Sequence, residues 1–268
     1  AMKSGTSSLH SMLNQHPEVF IPEKELHFFD RDNIIQHADF NQFREGTWHN
    51  HQAERSKEAV GQYRSGQTNK YWQWYQEQFS LADDRQVLGE DSTTYLASPL
   101  AAKRIASQNK AIKIVVMLRQ PSKRAFSQYW HLVRSGRMPY SFEDCIELAP
   151  HSILNRSLYR TQIEEFLKYI PKENIHFVVF EEFIKDKAKV LKAVCQHIGV
   201  NYEKLPDSAE QLHENATTYP KYYSMQLWKN RLFPLAGNLS YRQHFSQMAE
   251  LEYEQPKNLH WLINGLHR

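Results

Sequence analysis

A lysine and a run of serine, glycine and threonine occupy positions 3–8 and lead directly into an amphipathic helical pattern. Such a turn directs free backbone N–H groups, the positive end of a helix dipole and one ammonium toward a single point, which favours a bound phosphate. The run is not a Walker loop, because its lysine precedes the turn and does not begin the helix. An ordinary capped helix start uses the same residue types, so the run alone leaves both interpretations open.

A second candidate anion site follows the most apolar segment of the chain, Ile112–Leu118. Arg119 comes directly after that segment, and Ser127 lies eight residues further along, in the next predicted helix. A guanidinium offers a planar fork of donors to a phosphate, and ligands gather at the carboxyl ends of strands in open α/β sheets. A strand-end salt bridge is the alternative role for Arg119. Taken together, the two candidate sites suggest a nucleotide that carries phosphate at both ends.

Glu25 and His27 have the side-chain types that transfer protons, although Glu25 taken alone is more simply a solvated charge. They are two residues apart, so an extended backbone would place both side chains on one face. A carboxylate within hydrogen-bond reach of an acceptor hydroxyl can take its proton. His27 could orient that carboxylate, hold the acceptor or act as the base itself. The alternatives are a solvated charge beside Lys24 and a core histidine with one satisfied nitrogen.

The apolar pattern predicts the elements that would position these residues. Buried strands are predicted at Ile112–Leu118 and Ile175–Phe180, and short extended pieces at Val19–Ile21 and Gln86–Gly89. The predicted helices are Thr6–Gln15, Pro121 to about Gly136, Leu158–Tyr169 and Lys187–Ile198, the last closed by Gly199. Alternation of this kind predicts an α/β fold with a central parallel sheet covered by helices on both faces.

Composition sets broad limits on the function. A chain of 268 residues with 41% hydrophobic and 13% aromatic residues can form one large α/β domain. A net charge of +3 is too small to indicate a nucleic acid partner, and it is compatible with an anionic ligand in a local basic pocket. The sequence shows no membrane-span pattern and no secretory leader, and it has two cysteines. We therefore expect a reducing compartment, the bacterial cytoplasm, with the Golgi lumen as the alternative if an anchor precedes this sequence.

The order of the motifs resembles that of the sulfotransferases that use 3′-phosphoadenosine 5′-phosphosulfate (PAPS). It is most similar to the branch that contains the heparan sulfate sulfotransferases and their bacterial relatives. The resemblance extends from Ala1 to about Val200 and is carried by five segments: Ala1–Leu9, Glu23–Asp30, Gly89–Leu96, Leu118–Ser127 and Asn155–Tyr159. Each motif is weak alone, and the five in this order are specific.

The resemblance implies a P-loop-like three-layer fold and a single sulfotransferase domain over residues 1–268. Relatives carry an apolar strand immediately before the loop, and the present sequence begins inside the loop. We expect an irregular lid or acceptor-side insertion at about residues 31–69. The C-terminal segment 233–268 has no confident match to the family pattern.

The resemblance also implies a role for each candidate residue. Transfer would use PAPS as donor, release adenosine 3′,5′-bisphosphate (PAP) and need no metal; the acceptor would be a hydroxyl or amine of a glycan or small molecule. Glu25 is expected to be the base, with Lys3 and His27 as the other catalytic residues. The expected donor-binding residues are Lys3, Ser4, Gly5, Thr6, Ser7, Ser8, Arg119, Ser127, Tyr159 and, within a loosely matched Tyr219–Lys221 stretch, Lys221. Asp91 lies where several relatives have lysine. An acid there cannot donate to the phosphosulfate, so Lys3 would contact that group more nearly alone.

Two other functions compete with this one. The first is a non-catalytic module that binds a nucleotide or an anionic glycan on the same fold. Asp91 favours it, whereas the presence of Glu25 together with Lys3 argues against it, because binding alone does not require a base. The second is a nucleotide kinase, which is disfavoured because the sequence has no Walker pattern and no convincing metal-binding carboxylate.

Overall fold

The computed structural model describes residues 1–30, 75–108, 111–136, 138–148, 153–212 and 221–232. The expected lid at residues 31–69 and the unmatched segment 233–268 lie outside the described residues, as do Tyr219 and Pro220. These expectations therefore stay predictions.

Four described strands form two parallel pairs. Strand β1 (Val19–Phe20) pairs with β2 (Val87–Leu88), and β3 (Ile114–Leu118) pairs with β4 (Ile175–Val179). In the second pair the register places Leu118 beside Val179, so the residues that follow both strands leave the sheet at the same edge. The parallel pairing predicted from the β-branched runs is confirmed.

The described helices surround these strands. In chain order they are α1 (Thr6–Leu13), α2 (Ala101–Gln108), α3 (Pro121–Arg134), α4 (Phe142–Leu148), α5 (Tyr159–Leu167), α6 (Phe180–Lys185), α7 (Lys187–Ile198) and α8 (Tyr223–Leu232). The predictions of α1, α3, α5 and α7 are confirmed to within a few residues at each end. Gly199 closes α7 with a φ of 84°, a conformation that favours glycine. Helices α2, α4, α6 and α8 were not predicted.

The β3–β4 pair has a core on each of its two faces. Met117 and Val178 pack with apolar residues of α1 and α7, such as Met12 and Leu191. The neighbouring residues on the strands point the other way: Val116 and Ile175 join a cluster that also contains Leu26, Phe28, Phe29, Ile105 and Phe166. This two-residue alternation places helices on both faces of the sheet, as predicted.

Burial on both faces fixes the edge of the sheet from which Arg119 and Phe180 emerge. Each fully buried large aliphatic side chain stabilises the fold by roughly 1.5–3 kcal/mol.

A third cluster joins α3, α4 and α8, where Asn230 Nδ2 donates to the carbonyls of Val133 and Met138 at 2.9 Å each. Across the described ranges, no helix has the length and apolar character needed to cross a membrane.

Candidate active site

The segment before α1 is a tight turn with two residues in the left-handed region. Lys3 has a φ of 64° and Gly5 a φ of 86°. A Cβ atom at Gly5 would lie 2.6 Å from Cδ2 of Phe180, so only glycine fits without displacing that ring. Ser4 is fully buried, and its hydroxyl has no hydrogen-bond partner among the described residues. A turn of this shape, with a buried hydroxyl and a helix N-terminus, suits an anion.

Arg119 lies directly against this turn. Its Nη1 donates to the Lys3 carbonyl at 3.2 Å, and its guanidinium carbon lies 4.8 Å from the centroid of the Phe180 ring. The Nε atom is buried and has no partner within the described part of the chain. The two anion sites predicted from the sequence are therefore in direct contact, at the carboxyl ends of β3 and β4.

The other expected donor-binding residues differ in where they lie. The backbone N–H of Arg119 donates to the Tyr159 hydroxyl at 3.4 Å, so Tyr159 belongs to the same region. Ser127 is buried within α3, with 5% of its surface exposed. Lys221 is exposed and lies 5.6 Å from the centroid of the Tyr222 ring. Between described residues, no hydrogen bond or ion pair joins Ser127 or Lys221 to Arg119.

Glu25 is held by the loop that follows β2. Its Oε2 accepts from the Thr93 backbone N–H at 3.0 Å and from the Thr93 hydroxyl at 2.7 Å. Burial raises the pKa of Glu25 to about 7, the charge of Asp91 adds to the rise, and the two Thr93 donors oppose it. A carboxyl group with a pKa near neutrality is well suited to accept and release a proton.

His27 contacts the same carboxylate oxygen. Its Nε2 lies 3.3 Å from Glu25 Oε2, and its Nδ1 lies 2.8 Å from the Thr94 hydroxyl oxygen. A neutral imidazole with its proton on Nε2 satisfies both contacts, because Nε2–H donates to Glu25 and Nδ1 accepts from Thr94. The expectation that Glu25 and His27 face one another is met, although His27 has a φ of 49° and is not extended.

Asp91 links the Glu25 region to α1. Its Oδ2 lies 3.5 Å from Nδ1 of His10, which is in the second turn of that helix. The side chains of His10 and Asp91 remain 14% and 20% exposed. Sequence reasoning identified Asp91 but missed His10, because a histidine on a helix has no local pattern that points to a carboxylate far along the chain.

The hydroxyl residues that hold Glu25 and His27 were also missed. Ser92 accepts from the His27 backbone N–H at 2.9 Å, and Thr93 and Thr94 make the contacts described above. Their sequence signal is the Ser92–Thr94 run after a short strand. This run lies within the Gly89–Leu96 motif, and nothing in the motif indicates which residues its hydroxyl groups contact.

Comparison with known proteins identifies the family of this chain. A model of the sulfotransferase family matches residues 1–204. The chain belongs to the sulfotransferase family. The matched range includes the Lys3 turn, Glu25, His27, Arg119 and Tyr159, and it ends near Val200, where the resemblance was expected to fade.

Over the aligned residues, relatives of known activity are about one quarter identical to this sulfotransferase-family chain. Human heparan sulfate glucosamine 3-O-sulfotransferase 5 is 27% identical over 228 residues, which is 80% of this chain and 55% of the relative. The human bifunctional heparan sulfate N-deacetylase/N-sulfotransferase 3 is 26% identical over 220 residues, 74% of this chain and 21% of the relative. The chain thus spans about half the length, or less, of these curated relatives.

A solved bacterial structure supports the fold. The sulfotransferase from Alicyclobacillus acidocaldarius superposes with a TM-score of 0.60 at 26% identity, and the match covers 93% of both chains. The P-loop-like α/β fold expected from the sequence is therefore confirmed.

Proposed function

We propose that this chain is a PAPS-dependent sulfotransferase that transfers a sulfuryl group to a hydroxyl or amine of a glycan or small molecule. The single observation that carries the proposal is the hydrogen bond from Arg119 to the Lys3 carbonyl. It brings two cation-bearing segments together at the strand ends, as a donor with phosphate at both ends requires. Membership of the sulfotransferase family and its PAPS-using relatives support the same conclusion.

The residues of the turn and of the β3 end fit such a donor. The buried Ser4 hydroxyl and Arg119 Nε have no partners among the described residues, so both are available to phosphate oxygens. We assign the 5′-phosphate to the amides and hydroxyls of Ser4–Ser8. We assign the 3′-phosphate to Arg119 and one wall of the adenosine site to Tyr159. For Ser127 and Lys221, a role in donor binding is supported by the family resemblance alone.

The donor supplies an activated sulfuryl group. The side chains of this chain accept the acceptor proton and neutralise the charge that develops on the donor. Glu25 Oε takes the proton of the acceptor hydroxyl or amine while the acceptor atom forms its bond to sulfur. The bond from sulfur to the bridging phosphate oxygen breaks, and the Lys3 ammonium neutralises the negative charge that grows there. PAP leaves with the bridging oxygen, and water later removes the proton from Glu25. Positioning and charge stabilisation provide most of the catalysis, as in phosphoryl transfer.

His27 orients the base in this scheme. Its Nε2–H donates to the Glu25 oxygen that Thr93 also holds, so the lone pairs that remain on Glu25 define where the acceptor proton must be presented. Because only ionised Glu25 accepts a proton, the rate should rise with pH as Glu25 passes its pKa of about 7.

Two measurements test the proposal. PAP should raise the melting temperature more than adenosine 5′-monophosphate does, because only PAP fills the Arg119 site, and ATP with magnesium should raise it least. Transfer of ³⁵S-labelled sulfuryl from PAPS should then be screened over sugar, phenol, alkyl-alcohol and amine acceptors. Equal stabilisation by ATP–magnesium and PAP, together with no transfer to any acceptor, would contradict the proposal.

Asp91 favours one alternative, a binding module without turnover. Its negative charge lies near Glu25, beside the place where the donor would bring further negative charge. Under this alternative PAP binds through the Lys3 turn and Arg119, and labelled sulfuryl is never transferred. The thermal shift and the transfer assay together therefore separate the two functions.

We also infer a reducing compartment, the cytoplasm. Cys145 and Cys195, the two cysteines of this chain, are both free and buried. A chain that matures in an oxidising lumen more commonly pairs its cysteines. Identical activity and melting temperature with and without dithiothreitol would agree with this inference, and activity that depends on an oxidant would contradict it.

A further inference from the structure

Three consecutive residues beside the candidate base are each held by a different hydroxyl-bearing side chain. The His27 backbone N–H donates to Ser92 Oγ at 2.9 Å. The Phe29 backbone N–H donates to the Tyr95 hydroxyl at 3.0 Å. Between them, the Phe28 ring stacks on Tyr75 with centroids 4.3 Å apart and an interplanar angle of 24°.

All three hydroxyls meet at one carboxylate, that of Glu90. Tyr75 donates to Glu90 Oε2 at 2.6 Å, and Ser92 donates to Glu90 Oε1 at 2.7 Å. The Tyr95 hydroxyl also donates to Oε1. One side chain thus organises the hydroxyl groups of Tyr75, Ser92 and Tyr95, three of the residues that contact residues 27–29.

The carboxylate also fixes the direction of each hydrogen bond. An ionised carboxylate only accepts, so Ser92 and Tyr95 must each point their hydroxyl hydrogen at Glu90. Their lone pairs are then left for the N–H groups of His27 and Phe29. Burial raises the pKa of Glu90, and each of the three hydroxyl donors opposes that rise by stabilising the ionised form.

His27 needs this support more than an ordinary residue would. Its φ of 49° places a non-glycine residue in the left-handed region, which costs on the order of 1 kcal/mol or more and persists only where neighbours enforce it. If its backbone relaxed, the imidazole would leave the position in which Nε2 lies 3.3 Å from Glu25 Oε2. The position of the imidazole beside Glu25 therefore depends on the Ser92 contact to the His27 backbone as well as on the Thr94 contact to its ring.

We propose that Glu90 is a positioning residue for sulfuryl transfer: through Ser92 and Tyr95 it holds the backbone of residues 27–29, and thereby fixes His27 against Glu25. The proposal rests on the proposed function of this chain. Glu90 acts through other residues, and neither the donor nor the acceptor needs to contact it.

The test variant is Glu90→Gln, which keeps the shape of the side chain but adds an N–H₂ group that competes for the hydroxyl oxygens. We expect kcat to fall about 10- to 100-fold, because a misplacement of about 1 Å can cost about 10²-fold in rate, while KM for PAPS and the affinity for PAP stay within about two-fold. Glu77→Gln removes the same charge from an exposed position on the neighbouring turn and should leave both parameters unchanged. Equal loss in kcat and in PAP affinity, or wild-type kcat, would overturn the proposal.

A double-mutant cycle separates positioning from general destabilisation. Once Glu25→Gln has removed the base, Glu90→Gln should have almost no further effect on kcat, because the pair it positions no longer works. Additive losses would mean that Glu90 acts elsewhere. Ser92→Ala serves as the second variant if Glu90→Gln does not fold, and it should reproduce the kcat loss with unchanged PAP affinity. If the wild-type chain transfers no sulfuryl group, the proposed function itself is contradicted. If the wild type is active and the Glu90→Gln variant is equally active, only the positioning role of Glu90 is contradicted.

Discussion

The donor side and the transfer side of the candidate active site are built from opposite kinds of chemistry. The donor side uses cations and backbone: the Lys3 turn, the glycine at position 5 and the Arg119 guanidinium. The transfer side uses the acids Glu25 and Asp91, each with a histidine beside it. Under the proposed function, positive charge thus lies where the anionic donor would bind, and negative charge lies where a proton would be removed.

The two sides are also held in different ways. Donor residues emerge directly from packed elements: Arg119 follows β3, Phe180 begins α6 after β4, and the turn opens α1. Glu25 depends on a side-chain hydrogen bond to Thr93, 68 residues away, and His27 depends on one to Thr94, 67 residues away. We therefore expect changes on the donor side to alter binding, and changes on the transfer side to alter turnover with little effect on binding.

The largest expected effect is the loss of kcat in Glu25→Gln. Removing a general base costs about 10²- to 10⁴-fold in rate, and Gln still accepts from Thr93, so PAP affinity should be unchanged. Steady-state kinetics and PAP calorimetry measure the two quantities. Glu23→Gln, at an exposed position two residues earlier, is the matched control and should keep full activity. Normal turnover in Glu25→Gln would transfer the role of base to His27.

Arg119→Ala should have its main effect on binding. Loss of a charge-assisted contact to the 3′-phosphate, worth about 1.5–3 kcal/mol, predicts a roughly 10- to 150-fold weaker affinity for PAP. Affinity for adenosine 5′-monophosphate should change much less, because that nucleotide has no 3′-phosphate. Lys123→Ala removes an exposed cation from the next helix and should have no comparable effect. Equal losses for both nucleotides would place Arg119 in a structural role.

Gly5→Ala should weaken donor binding and lower the melting temperature. The added Cβ meets Phe180 Cδ2 at 2.6 Å in a backbone with a φ of 86°, so the turn must shift at a cost of about 1–3 kcal/mol. Thermal unfolding with and without PAP measures both effects. Wild-type melting and wild-type PAP binding in this variant would show that the turn tolerates a side chain and that its shape is not needed.

The smallest expected effect is a shift of the pH profile in Asp91→Asn. The charge of Asp91 raises the pKa of Glu25, so its removal lowers that pKa. Since only ionised Glu25 accepts a proton, the acidic limb of the kcat profile should move to lower pH, by less than about one unit. A shift toward higher pH, or no shift, would show that the charge of Asp91 does not raise the pKa of the catalytic base.

The donor side was largely predictable from sequence, and the physical reason is local. The β-branched run before Arg119 fixes a buried strand, the strand end fixes where the guanidinium emerges, and the Lys3 turn is contiguous in the chain. Gly199 closed α7 as its position indicated. All the donor-binding roles remain predictions, and for Ser127 and Lys221 no contact between described residues even ties them to Arg119.

The support of the transfer side was not predictable in the same way. Ser92, Thr94 and Tyr95 are common residue types whose importance lies in contacts with a segment more than 60 residues away along the chain. Helix α2 escaped prediction because much of its buried face is alanine, which gives a weak apolar signal. The family resemblance identified the candidate base, and only the tertiary structure shows what holds it.

Phe180 and Gly5 are far apart in the chain, yet they share one volume: the aromatic ring lies where a side chain at position 5 would have to go. Neither position is free to vary alone. A substitution that enlarges position 5 demands a smaller side chain at position 180, and a smaller side chain at 180 removes the flat surface on which the Arg119 guanidinium rests. Among related sequences, covariation of these two sites should therefore include the arginine as a third member.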